Sequence, residues 1–260
     1  NYPNVLALNY MQETGNIQAK VQRKAKDFIK KGYDRLKTFE VEGGGFDWYG
    51  RKPAHEGLTA YGLMQFVDMQ SVYEVEQSLI DRTAKWLLSR RNGEGSWDFN
   101  KKHLHSWNGG EQIRDAYIVW ALTEANFGHD ISKEIEKSYQ DAVQSEDPYV
   151  MGLMVNALLN MKDSRAEGLL NAVLRMQQKE GNWNGLTHSM TQSRGKSLQV
   201  ETTSLIALAL IKANRDKAAL SKGIKFIASA KNNDLYFNLL LERFKYDFIS
   251  FSKLVLKFCC

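Results

Sequence analysis

Apolar residues recur at helical spacing along most of this chain. Three further segments, beginning at Asp115, Tyr149 and Val200, resemble the one that begins at Leu58 in their density of apolar side chains. The intervals between the four starts are long enough for one helix pair each, and recurrence at such intervals indicates a repeat architecture. The segment 58–69 shows the pattern most clearly, with its apolar side chains at Leu58, Tyr61, Leu63, Met64, Phe66 and Val67.

A turn rich in glycine and aromatic residues precedes three of the four apolar segments. It reads GGGFDWYG at 43–50, GEGSWDFN at 93–100 and GNWNG at 181–185. The segment at Tyr149 follows Asp147-Pro148 instead, and proline is favoured in the first turn of a helix. The tryptophans of these turns are able to line a cavity, but their fixed place after glycines favours packing between repeats; they are Trp48, Trp97 and Trp183.

Amphipathic segments alternate with the apolar ones, and strand-like alternation is nearly absent, so we predict an all-α fold. Stacked helix pairs favour an α/α toroid, in which the four apolar helices and the N-terminal helix form an inner ring and amphipathic helices surround it. A solenoid of the same pairs is the alternative. The predicted helices span 1–13, 17–38, 58–69, 74–88, 115–124, 132–143, 149–159, 166–178, 201–212 and 220–230.

Composition narrows the classes of function. A length of 260 residues with 43% hydrophobic content suits one large domain or two small ones. The net charge of +5 arises from basic residues interspersed with 30 acidic ones, which indicates solvated helix faces rather than a nucleic-acid partner. Since no run of about 18 apolar residues occurs, we expect no membrane span. The only cysteines are Cys259 and Cys260.

Candidate catalytic and metal-binding residues are few. His103, His105 and Glu111 lie in a long irregular stretch, yet histidines two residues apart lack the usual zinc spacing on a helix. A protein prenyltransferase needs an internal cysteine for its zinc, and a terpene cyclase needs clustered aspartates. Neither occurs, so both classes are disfavoured, and we expect no cofactor, no metal and no enzyme. The scattered aspartates are Asp68, Asp81, Asp115 and Asp147.

An ordered series of segments resembles the thioester-containing domain of the alpha-2-macroglobulin and complement family, with the bacterial-type macroglobulins most similar. The segments are NYPNVLALNYMQE, KGYDRLKTFEVEGGGFDWYG, HEGLTAYGLMQFVDM, WLLSRRNGEGSW, DAYIVWALTEA and VETTSLIALAL. The resemblance covers about residues 1–230. It implies an α/α toroid within a larger secreted or periplasmic protein, with target proteases and the other domains of that parent as partners.

The chemistry of that family requires a Cys-x-x-Gln motif, whose cysteine and glutamine form an internal thioester. No such motif occurs in this sequence, and Gly109-Gly110-Glu111-Gln112 lacks the cysteine. In the family the motif lies just upstream of the segment that begins here at Asn1. The resemblance therefore implies a fragment of a protease inhibitor that carries the scaffold of the thioester site. A non-covalent protein-binding toroid is the alternative, and a cyclase-like enzyme is the third possibility.

Two further expectations come from this resemblance. Some complement members carry a histidine, ahead of a Gly-Gly pair, that attacks the thioester and redirects acyl transfer to hydroxyls. The corresponding position here falls near His105, our candidate for that role. The family also has a Gly-Ser-Thr-Gln-like turn near position 231, which this chain lacks. We therefore divide the chain into a toroidal domain, 1–231, and a divergent tail, 232–260.

Overall fold

The computed structural model describes residues 2–13, 19–98 and 110–232, which form ten α-helices, one short 3-10 helix at Gly128–Asp130 and two isolated β-bridges. The prediction of an all-α fold is confirmed. The helices are α1 (Tyr2–Glu13), α2 (Ala19–Lys37), α3 (Glu56–Met69), α4 (Gln77–Ser89), α5 (Glu111–Glu124), α6 (Ser132–Ser145), α7 (Pro148–Asn160), α8 (Arg165–Leu174), α9 (Gly195–Ala213) and α10 (Lys217–Asn232).

The odd-numbered helices form the inner layer of an α/α toroid. Each packs against the next, α1 on α3, α3 on α5, α5 on α7 and α7 on α9. Each even-numbered helix packs on the inner helix that it follows along the chain. Helices α3, α5, α7 and α9 are apolar on nearly all sides, because each is covered by its neighbours in the inner layer and by helices of the outer layer. The predicted inner ring, four repeated helices and the N-terminal one, is confirmed.

The inner helices run parallel, as contacts at their two ends show. At their C-terminal ends, Lys212 of α9 donates hydrogen bonds to Glu124 of α5, at 2.5 Å, and to Asn160 of α7, at 2.8 Å. Near the opposite ends, the Tyr149 hydroxyl of α7 donates to Glu201 of α9 at 3.1 Å. The ring therefore has an N-terminal end, where the glycine–aromatic turns lie, and a C-terminal end, where the inner helices lead into their outer partners.

The turn tryptophans are packing residues. Trp97 and Trp183 are buried, and each indole N–H donates to a carbonyl of the preceding outer helix. The acceptors are Leu87 O at 2.9 Å and Val173 O at 2.8 Å, each ten positions before its tryptophan. The prediction that these two aromatic side chains pack between repeats is confirmed.

In the first turn the equivalent aromatic residue is Phe46, so the prediction based on Trp48 was wrong in register. The Phe46 amide donates to Thr59 Oγ1 at 2.9 Å, just as the Trp183 amide donates to Thr203 Oγ1 at 3.1 Å. Phe46 is buried, whereas Trp48 is only half-buried. The extra glycine of Gly43–Gly45 and the second aromatic residue obscured the register in the sequence.

Two turn glycines fix how one helix pair contacts the next. Gly44 has φ +100°, and a Cβ there would lie 2.5 Å from the carbonyl oxygen of Arg82 on α4. Gly181 has φ +97°, and its Cβ would lie 2.5 Å from the carbonyl oxygen of Lys222 on α10. Only glycine tolerates both the left-handed backbone and this approach. The repeated glycine therefore seats each turn on the outer helix of the following pair.

Helix boundaries differ most around α8 and α9. Helix α8 ends at Leu174, four residues before the predicted end, because Gln178 bonds to Asn182 across the following turn at 2.8 Å. Helix α9 begins at Gly195, six residues before Glu201. Its first turn, 195–197, is polar, and the apolar pattern gave no sign of it. Residues 233–260 of the proposed tail lie outside the described part of the chain.

Candidate functional site

The N-terminal end of the inner ring gathers buried polar side chains that an apolar core does not need. Glu56 opens α3, Asp115 lies in the first turns of α5, Asp147 caps α7 and Glu201 lies near the start of α9. All four carboxyl groups are buried. Because burying a carboxylate is costly unless it is paired, each one needs an explanation from its contacts.

His55 positions the start of α3. Its side chain is fully buried, and its Nδ1 accepts a hydrogen bond from the Leu58 amide at 3.3 Å, which makes it the N-cap. Its amide donates to Phe46 O at 2.8 Å, and its carbonyl accepts from the Thr59 hydroxyl at 2.7 Å. These contacts give His55 a structural role.

Glu56 is the most completely buried acid at this end. Arg90, at the end of α4, donates from Nε to Glu56 Oε1 at 3.1 Å. Within the described ranges Glu56 Oε2 has no hydrogen-bond partner, although it is buried. The first turn of α3 lies at the positive end of the helix dipole, which stabilises a carboxylate there. Glu56 therefore places a buried acceptor oxygen at the N-terminal end of the ring.

Asp115 holds the second glycine–aromatic turn against α5. Its Oδ1 accepts from Arg114 Nε at 2.9 Å, and its Oδ2 accepts a very short hydrogen bond from the Ser96 hydroxyl. Arg114 also donates to Trp97 O at 3.2 Å. Burial raises the pKa of Asp115 to about 6, against the opposing effects of Arg114 and Ser96. The group thus titrates close to the ordinary range of histidine.

The segment 184–194 lies across the N-terminal end of the ring. Met190 is buried, and its Cε lies so close to Gly57 of α3 that a methyl group at position 57 would overlap it. The Met190 amide donates to the Tyr149 hydroxyl at 3.0 Å, and that hydroxyl donates onward to Glu201. This segment therefore joins α3 to α7 and α9, two helices that are not adjacent to α3 in the ring.

Asp147 anchors the other end of the same segment. Its Oδ1 accepts from the Tyr149 amide at 2.9 Å and from the Leu186 amide at 3.1 Å. Burial raises the pKa of Asp147, while these two amides and the nearby His188 act in the opposite direction. Leu186 itself is 62% exposed, so the segment offers an apolar side chain to solvent at this end.

The histidine candidate cannot be placed in this geometry. His103, His105 and Gly109 lie outside the described residues, so the proposed acyl-transfer role of His105 stays a prediction. The neighbouring Glu111 and Gln112 form the first turn of α5, where a hydrogen bond from Lys137 at 3.2 Å lowers the pKa of Glu111.

Across 2–13, 19–98 and 110–232, no group of three or more histidine, cysteine, aspartate or glutamate side chains is arranged to hold a metal ion. In the same part of the chain, no helix is long and apolar enough to cross a membrane.

Comparison with known proteins decides the family. The sequence profile of the A-macroglobulin TED domain matches residues 1–237. This chain belongs to that family. Among curated proteins, this TED domain is similar to thioester-containing protein 1 (allele S1) of Anopheles gambiae, with 22% identity over 228 residues. The aligned region is 82% of this chain but only 16% of that relative, so the TED domain corresponds to a small part of the longer protein.

Sequence reasoning missed the polar contacts of this TED domain. Neither the Glu56–Arg90 pair nor the bridge from Met190 through Tyr149 to Glu201 was predicted. One signal was available, because Glu56 and Glu201 each stand at the head of an otherwise apolar run. An acid in that position is buried as the helix enters the core, and it requires a partner from another element.

Proposed function

We propose that this TED domain is the helical scaffold of an internal thioester in a larger, protease-capturing protein of the macroglobulin type. The match of residues 1–237 to the A-macroglobulin TED domain carries this proposal. The similarity to a protein named as thioester-containing supports it. The buried carboxylates and the segment 184–194 give the N-terminal end a fixed polar structure, suited to holding a reactive group.

The proposed reaction is acyl transfer from the thioester to a target. An amine of the captured protein attacks the thioester carbonyl carbon, the carbon–sulfur bond breaks, and an amide forms. The cysteine leaves as a thiolate and takes up the proton that the amine loses. Each thioester reacts once, so the protein acts as a stoichiometric reagent and not as an enzyme. With a hydroxyl target, His105 would act as an intermediate nucleophile.

The 260 residues themselves contain no Cys-x-x-Gln. The proposal therefore places that motif in the parent protein, in the segment upstream of the one that begins here at Asn1. It also places the parent outside the cell or in the periplasm, with proteases and the parent's other domains as its partners. The thioester must stay shielded until capture, and the other domains of the parent would provide this shielding.

A non-covalent docking module is the second candidate function. Two exposed apolar side chains at the N-terminal end of the ring favour it, Leu186 and Tyr49, the latter 69% exposed. The Asp47 carboxylate holds the turn that carries Tyr49, since it accepts from the Tyr49 amide at 2.9 Å and from the Arg51 amide at 3.3 Å. An ordered, exposed aromatic side chain suits a protein contact.

Sequencing the parent transcript across the coding region for Asn1, followed by a methylamine assay on the intact parent, separates the two functions. The acyl-transfer proposal expects Cys-x-x-Gln upstream, one methylamine incorporated per molecule and one thiol released. A parent treated beforehand with methylamine should then fail to form covalent complexes with a protease. A parent without the motif, or without thiol release, would overturn the acyl-transfer function and leave docking as the function of the domain.

A further inference from the structure

Helix α2 carries the positive charge of this domain. It has eight basic residues and two acidic ones, a net charge of +6, whereas the whole chain carries +5. The rest of the chain is therefore close to neutral. Such a concentration on one outer helix differs from the interspersed charge that the composition suggested, and it gives one face of the toroid a strongly positive potential.

Five residues of α2 form a stripe, which we name the basic stripe. They follow one another at intervals of three and four, the spacing of neighbours along one face of a helix. The two acids of α2, Asp27 and Asp34, each lie one position before a member of the stripe, about 100° around the helix from it. The basic stripe consists of Val21, Lys24, Phe28, Lys31 and Arg35.

The basic stripe faces solvent. Its three cations are exposed, and its two apolar side chains, Val21 and Phe28, are 39% and 48% exposed. Lys24 Nζ lies 5.9 Å from the centre of the Phe28 ring. Over its length of about 21 Å, the stripe thus exposes an aromatic ring among cations.

A second face of α2 packs within the fold. Ala25, Ile29 and Tyr33 are buried in the core. On the side toward α4, Lys37 pairs with Glu76 at 2.6 Å, and the Tyr33 hydroxyl accepts from the Glu76 amide at 3.2 Å. Lys30 pairs with Asp34 at 2.7 Å. In the described part of the chain, by contrast, Lys24, Lys31 and Arg35 form no ion pair.

We propose that the basic stripe binds the surface of an anionic phospholipid bilayer. Each lysine or arginine held near such a surface contributes attraction without a fixed partner geometry. Phe28 and Val21 would enter the headgroup region, where an aromatic side chain is stable. In this arrangement α2 lies flat on the membrane surface and does not cross the bilayer. The N-terminal end of the ring stays exposed at the side of the domain.

The chemistry of the stripe favours a bilayer over a protein partner. Lysine is depleted in the buried centres of protein interfaces, because its ammonium group must be dehydrated there. Two apolar side chains provide too little area for a desolvated centre of the usual size. A bilayer surface attracts hydrated cations at a distance. It requires neither dehydration of the ammonium groups nor a large apolar centre. The inference is independent of acyl transfer, since the stripe takes no part in the proposed thioester site.

Vesicle flotation with the purified 260-residue chain tests the proposal. The chain should float with vesicles containing roughly one-third phosphatidylglycerol, and not with pure phosphatidylcholine vesicles. Replacing the stripe cations with glutamine (K24Q/K31Q/R35Q) should weaken binding by on the order of a hundredfold, about fivefold for each cation. Salt at about 1 M should abolish binding by screening. F28A should weaken binding at unchanged charge.

A matched control separates the stripe from net charge. K217Q/K222Q/K225Q removes three exposed cations from α10, another outer helix, and changes the net charge equally. It should bind anionic vesicles within about threefold of the unaltered chain. Equal losses in both triple variants, or no flotation of the unaltered chain, would overturn the proposal. So would a result in which a DNA duplex or an acidic protein, and not the vesicles, depends on the three stripe cations.

Discussion

The Tyr149 hydroxyl lies between the Met190 amide and the Glu201 carboxylate, accepting from the first at 3.0 Å and donating to the second at 3.1 Å. One phenol thus connects α7, α9 and the segment 184–194 at the N-terminal end of the ring. All three groups are buried. Two buried polar groups meet at this one oxygen atom, which makes Tyr149 a sensitive point of the domain.

We expect Y149F to destabilise the domain by about 1–3 kcal/mol, because it leaves the Met190 amide and one Glu201 oxygen without this partner. Amide hydrogen exchange at Met190 should also become faster as stability is lost. Urea denaturation measures the first effect, and mass-spectrometric exchange the second. Y139F on α6 is the matched control, since Tyr139 packs beside Arg165 near the surface, and it should change stability by less than about 0.5 kcal/mol. Equal effects of both variants would contradict the role given to Tyr149.

The glycine contacts between helix pairs predict a second set of effects. G44A and G181A should each destabilise the domain by at least about 2 kcal/mol, since both combine a left-handed backbone with overlap on a carbonyl oxygen. G168A is the control. Gly168 lies within α8 with open space around it, so alanine there should stabilise the domain by roughly 0.5–1 kcal/mol. Thermal unfolding of the three variants should show opposite signs, and tolerance of G44A would refute the contact.

Asp115 predicts a dependence of stability on pH. Its pKa in the folded domain is about 6, above the ordinary value of 3.8, so the folded state binds this proton more tightly than the unfolded state. The free energy of unfolding should therefore fall as the pH rises from about 4 to 6, by up to roughly 3 kcal/mol from this group.

D115N isolates this contribution. Urea denaturation of both proteins at several pH values should show that the difference between them changes mainly between about pH 4 and 6 and is constant above pH 7. An NMR titration of the Asp115 side-chain carboxyl should give a midpoint near the same pH. A midpoint close to the ordinary value for aspartate would show that Arg114 and Ser96 outweigh the effect of burial.

Met190 provides a further prediction. Since its side chain is buried against Gly57, M190A should cost about 2–3 kcal/mol through the cavity it leaves. G57A should be milder, because a flexible methyl group at the end of Met190 is able to move away from the new side chain. The double variant M190A/G57A should be less unstable than the sum of its parts, as measured in a double-mutant cycle. Strict additivity would show that positions 57 and 190 do not touch.

The sequence predicted helices well and polar contacts poorly, for a physical reason. Apolar spacing reports which side of a helix is buried, and the positions of α3, α5 and α7 followed from it. It carries no information about a helix that starts with polar residues, as α9 does at Gly195. Nor does it show which distant group meets a buried acid. Glu56 and Arg90 lie on different helices, and their meeting depends on how α3 packs against α4.

The family resemblance carried the argument where periodicity ended. Apolar spacing alone left a toroid and a solenoid open, and it gave no chemistry. The ordered motifs indicated the thioester-domain family, and the profile match confirmed it. The register of the first turn still went wrong, because Phe46 and Trp48 are both plausible aromatic anchors until the hydrogen bond from the Phe46 amide to Thr59 is seen.

The contact between Met190 and Gly57 has a consequence for how the domain folds. It joins the second helix pair to the segment that precedes the fifth, so it closes a long loop of chain. Closing that loop costs conformational entropy before the contact contributes any stability. Such contacts therefore form late and slowly. Helix pairs assemble from local contacts, whereas the N-terminal end of the ring is completed only when Met190 reaches α3. The proposed reactive end of this domain would then be the last part to become native during synthesis.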